Sequence, residues 1–239
     1  MYEKAQINME LKWIVEELAH YFLPNRCAVC NSKLLSEEIG VCLQCLYKLP
    51  KTNNFDEDNN IGEVLLAGRF PFEGVASFAF FTKQGLLQSL IHELKYNNKP
   101  AIGNLLGSLF GEDLLHSHFL EPIDVIVPVP LHPKKKVIRG YNQAEAFAQG
   151  ISQATSIPIS VDELIRVINN PTQTKRSKTQ RWENVKGIFE VTGTDVFQNK
   201  HVLLVDDVIT TGSTLEACAN ALLECSDVKI SIATIGEAL

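Results

Sequence analysis

The strongest constraint on the fold of this chain is a segment near its C-terminal end, residues 202–214, which reads VLLVDDVITTGST. An apolar strand, predicted over residues 201–205, ends in Asp206 and Asp207, and a hydroxyl-rich loop then opens a helix predicted over residues 213–223. Ligands of open α/β sheets bind at the carboxyl ends of the strands, where the two aspartates fall. The loop brings backbone amides to a helix N-terminus, where unpaired N–H groups and the helix dipole favour a phosphate. These features predict a phosphate-binding strand–loop–helix.

The residue types in this loop add detail to the predicted chemistry. Gly212 permits close approach of a ligand and unusual backbone angles. Two carboxylates beside a phosphate site suit the vicinal hydroxyls of a sugar, directly or through Mg²⁺. The simpler alternative is a helix capped by Ser213 or Thr214, with solvated aspartates in front of it. The sequence contains neither a Walker A pattern nor a Rossmann dinucleotide fingerprint, which excludes those two classes of nucleotide-binding site.

Residues 72–239 as a whole alternate between strand-like and helix-like segments. Short continuous apolar runs such as IDVIVPV are typical of strands buried in a parallel sheet. Alternation of this kind implies right-handed crossovers, so we predict an α/β domain with a mostly parallel sheet. The predicted strands are residues 75–81, 123–129, 164–168, 201–205 and 228–235, and the predicted helices are residues 85–95, 101–116, 142–154 and 213–223.

Four of the six cysteines form two close pairs, Cys27 with Cys30 and Cys42 with Cys45, separated by eleven residues. A two-residue gap lets both thiolates of a pair reach one tetrahedral ion, and two pairs complete a four-sulfur zinc site of the structural kind. Metal binding would then supply the folding free energy of a small module, which we assign to residues 1–50. Two disulfides and an iron–sulfur cluster are the alternatives, and the lack of a secretion signal counts against disulfides.

The regions around this module are less specific. Apolar residues recur at helical spacing in the first 22 residues, which predicts an amphipathic helix that packs on its own protein. Residues 51–62 are polar, acidic and rich in asparagine, so we assign residues 51–71 to a linker. No run of eighteen apolar residues and no secretion signal occur, and we therefore expect a cytoplasmic chain without a membrane span.

The net charge of −6 disfavours nucleic-acid binding by the surface as a whole. Two local basic clusters remain, and most clusters of this kind are solvated surface. The first comprises Lys134, Lys135, Lys136 and Arg139, and the second comprises Lys175, Arg176, Lys178 and Arg181.

Residues 202–214 resemble the phosphoribosyl-pyrophosphate motif of type I phosphoribosyltransferases almost position for position. Three further segments, residues 94–100, 127–148 and 170–191, resemble competence proteins of the ComF type. A tetracysteine segment upstream of a phosphoribosyltransferase-like domain is the arrangement of that family. The resemblance covers nearly the whole chain. It implies a type I phosphoribosyltransferase fold with a small N-terminal zinc-binding module.

The resemblance also implies roles for individual residues. Asp206 and Asp207 would hold the 2- and 3-hydroxyls of the ribose, and residues 172–186 would form a mobile hood that excludes water and neutralises the leaving pyrophosphate. The implied catalytic residues are Asp206, Asp207 and Arg181. The implied residues that bind 5-phosphoribosyl 1-pyrophosphate are Val208, Ile209, Thr210, Thr211, Gly212, Ser213, Thr214, Pro130, Leu131, Arg139, Lys175 and Lys178.

The turn after the predicted strand at residues 123–129 departs from the pattern of related transferases, in which it cradles pyrophosphate. Pro128 and Pro130 remove backbone donors, and no glycine lies in the turn. Arg139, Asn142 and Gln143 could replace the lost donors. The alternative is that the prolines stiffen a turn and Asn142 caps the next helix.

Two hypotheses for function follow. The first is a Mg²⁺-dependent glycosyltransferase that moves a phosphoribosyl group from 5-phosphoribosyl 1-pyrophosphate to an acceptor that the sequence does not identify. The bound partner is then 5-phosphoribosyl 1-pyrophosphate or another ligand that contains ribose 5-phosphate. The second is a non-catalytic protein that binds single-stranded DNA in natural transformation, whose basic clusters follow phosphates and whose zinc module docks a helicase-like partner. The two hypotheses are compatible with each other.

Overall fold

The computed structural model describes residues 25–167 and 187–238. It divides into two compact units, Met1–Lys48 and Leu49–Leu239. The predicted N-terminal helix lies outside the described residues, and so do the second basic cluster and the whole implied hood, residues 172–186. Within the described ranges, no helix is both long enough and apolar enough to cross a bilayer.

In the N-terminal unit the chain makes a tight turn at the first cysteine pair. The Asn31 N–H donates to the Cys27 carbonyl over 2.9 Å, and Asn31 adopts a positive φ of 61°, which asparagine tolerates better than most residues. The second pair flanks the start of a short helix, α1 (Leu43–Tyr47). Apart from cysteines, Leu34 and Val41 are the buried apolar side chains among the described residues of this unit. So small an apolar core is typical of a module that a metal stabilises.

The second unit is built on a four-stranded sheet with the strand order β1-β6-β5-β2. Its strands are β1 (Gly74–Phe81), β2 (Val125–Pro128), β5 (His201–Ile209) and β6 (Lys229–Ala238). Every neighbouring pair is parallel, so the C-terminal ends of all four strands lie at one edge of the sheet. The predicted α/β fold with a mostly parallel sheet is therefore confirmed.

A separate antiparallel pair consists of β3 (Leu164–Arg166) and β4 (Phe189–Val191). The helices of this unit follow the predicted order, with two short helices, α2 and α5, that the sequence did not reveal. Within the described part of the unit they are α2 (Ile61–Leu66), α3 (Leu86–Tyr96), α4 (Pro100–Leu114), α5 (Pro133–Arg139), α6 (Gln143–Thr155) and α7 (Ser213–Leu222), together with a 3-10 turn, Thr194–Val196.

Helices α4 and α6 contact each other backbone to backbone. A Cβ atom added at Gly107 would lie 2.1 Å from the Phe147 carbonyl oxygen, and one added at Gly150 would lie 2.1 Å from the Asn104 carbonyl oxygen. No residue other than glycine fits at either position, because a protein interior is packed as densely as a crystal of small organic molecules and leaves no room for the Cβ atom. This contact fixes α6, whose N-terminal end lies beside the candidate site.

Residues 51–71, which we interpreted as a linker, belong to the second unit and pack on its first strand. The Thr52 N–H donates to the Phe78 carbonyl over 3.2 Å. Asn60 caps α2 by accepting from the Glu63 N–H and donates to the Val75 carbonyl over 2.8 Å. The asparagines of this segment therefore form helix caps and turns, and the segment is ordered rather than a linker.

Candidate functional site

The four cysteines of the N-terminal unit converge as their spacing predicts. Their Sγ atoms all lie within 4.8 Å of one another, and the Sγ atoms of Cys30 and Cys42 are 3.7 Å apart. Tetrahedral zinc with Zn–S bonds of about 2.3 Å places its sulfurs about 3.8 Å apart. All of the described cysteines are free thiols, so the disulfide alternative is not seen. Hydrogen bonding by Ser32 lowers the pKa of the Cys30 thiol to about 6, which favours the thiolate that a metal binds. The cluster can hold a metal ion such as zinc.

The loop after β5 leads into α7 through Gly212, which adopts a positive φ of 72°. Gly212 is the N-cap and no side chain caps the helix, so the alternative of a helix capped by Ser213 or Thr214 is wrong. The N–H groups of the first turn are therefore left for an external acceptor. A small pocket of about 30 Å³ opens here, lined by Asp206, Val208, Ile209, Thr210, Thr211, Gly212, Ser213, Thr214 and Leu215.

Helix α2 supports this loop from behind. A Cβ atom at Gly212 would lie 2.5 Å from Leu66 Cδ2 and 3.2 Å from Leu65 Cδ2. Close by, Arg69 forms an ion pair of 3.0 Å with Glu216 of α7. The segment at residues 51–71 is thus part of the structure that shapes the candidate phosphate loop.

The two aspartates lie within the C-terminal end of β5, which is longer than predicted. The Asp207 N–H donates to Asp206 Oδ1 over 2.8 Å, and the Val208 N–H donates to Asp207 Oδ1 over 2.7 Å. The other Asp207 oxygen, Oδ2, is 2.7 Å from Lys95 Nζ of α3. Burial, and to a smaller degree the charge of Asp207, raise the pKa of Asp206 to about 7.

A larger cleft of about 350 Å³ adjoins the small pocket and shares Asp206, Val208, Thr210 and Thr214 with it. The structure therefore brings the aspartates, the loop and the turn after β2 to one place. The cleft is lined by eight of the predicted site residues: Asp206, Asp207, Val208, Thr210, Thr214, Pro130, Leu131 and Arg139. The rest of its lining consists of Phe81, Ile91, Lys95, Val129, Lys135, Asn142, Gln143, Ala144 and Arg166.

The turn after β2 offers few backbone donors. Pro128 and Pro130 have no N–H, and the Val129 N–H donates to the Val205 carbonyl over 2.8 Å. Asn142 caps α6 through the Ala144 N–H and donates to the Val129 carbonyl over 2.9 Å, as the alternative interpretation expects. Anion binding at this turn would therefore depend on side chains.

Basic side chains that line the cleft include two that sequence reasoning did not assign to the site, Lys95 and Arg166. The Arg166 guanidinium lies 5.3 Å from the centre of the Phe189 ring, across the β3–β4 pair. Lys95 belongs to the LKYNNKP segment, and Arg166 lies in a predicted strand. Neither sequence context distinguishes a cation of the cleft from an ordinary cation of the surface. Lys175, Lys178 and Arg181 lie outside the described residues and remain predictions.

Comparison with known proteins gives a consistent assignment of the second unit. The family model described as phosphoribosyl transferase domain matches residues 141–237. Competence protein F of Haemophilus influenzae is 36% identical over 140 residues, which are 57% of this chain and 61% of that protein, so the match spans less than two thirds of that relative.

Two further relatives extend the comparison. DNA utilization protein YhgH of Escherichia coli K12 is 29% identical over 205 residues, which are 82% of this chain and 83% of that protein. Competence protein ComFC of Bacillus subtilis is 30% identical over 148 residues, which are 60% of this chain and 56% of that protein. The similarity to the YhgH protein therefore extends beyond the transferase domain.

Proposed function

The chain belongs to the ComF family of competence proteins with a phosphoribosyltransferase-type domain, and from this premise we propose that it binds a 5-phosphoribosyl group. The ligand would be 5-phosphoribosyl 1-pyrophosphate or another compound that contains ribose 5-phosphate. The observation that carries the proposal is the junction of the small pocket and the cleft, which meet at Asp206, Val208, Thr210 and Thr214.

The small pocket suits the 5-phosphate. Its walls carry the hydroxyls of Thr210, Thr211, Ser213 and Thr214, and the first-turn N–H groups of α7 and its dipole favour an anion. The carboxylates of Asp206 and Asp207 then accept from the ribose hydroxyls. The pyrophosphate extends towards Pro130 and Leu131, where Lys135 and Arg139 supply charge in place of the missing backbone donors.

Magnesium fits the same residues, because carboxylate oxygens are the protein ligands that Mg²⁺ prefers and Asp206 and Asp207 present them at the cleft. When bound, the ion would neutralise charge on the phosphate oxygens. The chain's own part is to hold the ribose at the two aspartates and to supply cations around the pyrophosphate.

The reaction class that such a site serves is glycosyl transfer at C1 of the ribose. The bond from C1 to the pyrophosphate oxygen breaks, the electron pair leaves with pyrophosphate, and an acceptor forms the new bond to C1. Lys175, Lys178 and Arg181 would neutralise the departing anion. The acceptor would occupy the cleft beside the ribose, where Phe81 and Arg166 form part of the wall.

Calorimetric titration with 5-phosphoribosyl 1-pyrophosphate, with and without Mg²⁺, tests the binding proposal. We expect saturable binding that weakens at least about tenfold in Asp207→Asn and in Thr211→Val, because each removes a charge-assisted or hydroxyl contact. Asp195→Asn is the matched control, because it neutralises an exposed aspartate that does not line either pocket. Absence of binding, or equal affinity in Asp207→Asn and the wild-type chain, would refute the proposal.

A second candidate function is binding of single-stranded DNA during DNA uptake. The names of the relatives, competence protein and DNA utilization protein, favour it. In addition, α5 carries Lys134 and Lys136 on a helix with no buried residue. A direct role predicts that log Kd for an oligothymidylate rises with log salt concentration, with a slope of about 0.7 per phosphate contacted.

Two double variants test DNA binding by α5 without changing the cleft. Lys134→Gln with Lys136→Gln removes two exposed cations that do not line the cleft. The control is Lys200→Gln with Lys229→Gln, at the opposite edge of the sheet, where β5 and β6 begin. A reduced salt slope in the first pair alone supports the DNA role, and equal slopes in both pairs exclude α5 as the contact.

A further inference from the structure

Building on the proposed phosphoribosyl site, we propose that Lys95 is a positioning residue of that site. Its ammonium group holds the Asp207 carboxylate in place. It also offsets negative charge of the two aspartates, as a bound divalent cation would. The basis is the ion pair of 2.7 Å between Lys95 Nζ and Asp207 Oδ2.

The geometry fixes Asp207 through both of its oxygens. Oδ2 pairs with Lys95, and Oδ1 accepts the Val208 N–H over 2.7 Å. Lys95 itself lies in the last turn of α3, where the helix dipole favours a cation. The carboxylate is thereby oriented by groups from two separate elements, the strand β5 and the helix α3.

The pair is shielded, and among the described residues Asp207 is the acid that forms an ion pair with Lys95. The side chains of Lys95 and Asp207 are 22% and 18% exposed, so salt and water screen them less than a surface pair. The acid on the same helix, Glu93, is engaged elsewhere: Oε2 pairs with Lys99 over 2.6 Å, and Oε1 accepts from Asn97 over 2.7 Å.

The two arginines of the cleft have different partners. Arg139 donates to Gln143 over 2.7 Å, and Arg166 lies over the Phe189 ring. Among the described residues, Lys95 is the cleft cation that forms an ion pair with an aspartate of β5. Its charge is therefore directed at the aspartate pair rather than at the rest of the cleft.

The charge of this pair matters because the ligand is itself an anion. Two adjacent carboxylates accept well from ribose hydroxyls but repel the phosphates on either side of the sugar. Lys95 offsets one of these negative charges from the protein side, and Mg²⁺ would offset the same charge from the ligand side. We therefore expect either cation to suffice for binding of a ribose phosphate.

The test measures the affinity for ribose 5-phosphate in EDTA and in Mg²⁺ for the wild-type chain, Lys95→Met and Lys95→Arg. Wild-type affinity should change little between the two buffers. Lys95→Met should bind about tenfold more weakly in EDTA and regain most of that loss in Mg²⁺, a coupling of ordinary size between two cations. Lys95→Arg should behave as the wild type, because it keeps the charge.

Lys99→Met is the matched control, because it removes an ion pair of similar length, 2.6 Å, next to the same end of α3, from a residue that does not line the cleft. It should leave both affinities unchanged. If Lys95→Met loses the same affinity for ribose 5-phosphate in both buffers, or loses none in either, the role proposed for Lys95 is overturned and the proposed function is not. A wild-type chain that binds ribose 5-phosphate in neither buffer would instead overturn the proposed function.

Discussion

Leu66, the last residue of α2, packs against Gly212 so closely that a Cβ atom at Gly212 would lie 2.5 Å from Leu66 Cδ2. The glycine is therefore required twice, once for its positive φ of 72° and once for the lack of a side chain. The contact joins the candidate phosphate loop to a helix that belongs to a segment remote in sequence.

Gly212→Ala should destabilise the second unit and abolish ribose-phosphate binding. We expect a loss of about 2–4 kcal/mol in the free energy of unfolding, from the left-handed backbone and from overpacking against Leu66. Gly68→Ala is the control, because Gly68 has a similar φ of 74° but nothing within 4 Å of its added Cβ atom. Urea denaturation of both variants separates the two costs, and equal losses would contradict the role of the Leu66 contact.

Asn142→Ala should destabilise the unit by about 1–3 kcal/mol, because it removes both a helix cap and the buried bond to the Val129 carbonyl. Asn142→Ser keeps a capping oxygen but loses the amide donor, so its loss should fall between those of the wild type and the alanine variant. Chemical denaturation gives both values. A serine variant as unstable as the alanine variant would show that the cap contributes nothing.

The buried carboxyl of Glu237 leads us to expect that the stability of the second unit depends on pH. Burial raises the pKa of its carboxyl above 4.5, and Glu237 Oε1 and Asn54 Oδ1 both lack a hydrogen-bond partner among the described residues. A protonated Glu237 could donate to such an acceptor. Since the folded-state pKa is raised, the stabilising contribution is complete below pH 4.5 and is lost as pH rises through the folded-state pKa.

Glu237→Gln should therefore raise the thermal midpoint relative to the wild type at alkaline pH, with a smaller difference as the buffer becomes acidic. Thermal unfolding at a series of pH values provides the measurement. Glu190→Gln, at an exposed position of β4, serves as the control and should give no pH-dependent difference. A constant difference for Glu237→Gln across the series would contradict the buried proton.

Removal of the metal should unfold the N-terminal unit and leave the second unit folded. We expect one zinc per chain by elemental analysis, and loss of that zinc together with increased protease sensitivity of the N-terminal unit in Cys45→Ser. Cys225→Ser changes a buried cysteine of the second unit and should retain the metal. Full zinc content in Cys45→Ser would contradict a four-sulfur site.

The parts of the site that local sequence patterns encode were predictable. Strand β5 and the loop to Gly212 form one continuous segment, and the two cysteine pairs each satisfy a local spacing rule. Helix α2 was missed because its six residues follow an asparagine-rich stretch whose caps look like a linker. Helix α5 was missed because prolines precede it and because it buries no residue, so no helical spacing of buried apolar residues reveals it.

Contacts between distant residues could not be predicted in this way. Lys95 and Asp207 meet because α3 and β5 bring them to one edge of the sheet, and no local spacing relates them. The same holds for Arg166, which reaches the cleft through the pairing of β3 with β4. Sequence patterns thus indicate which segment forms the candidate phosphate loop, whereas the fold decides which cations line the cleft beside it.

The glycine contact between α4 and α6 also determines how the cleft can respond to different ligands. One wall of the cleft includes Asn142 and Gln143 at the start of α6, a helix that cannot slide or roll without pressing backbone into backbone at Gly107 and Gly150. The neighbouring wall is α5, which buries no residue and carries Lys135 and Arg139. The cleft therefore combines one wall that a backbone contact holds in place with one wall that no buried side chain anchors, and we expect any adjustment of the cleft to the size of a bound ligand to occur at α5.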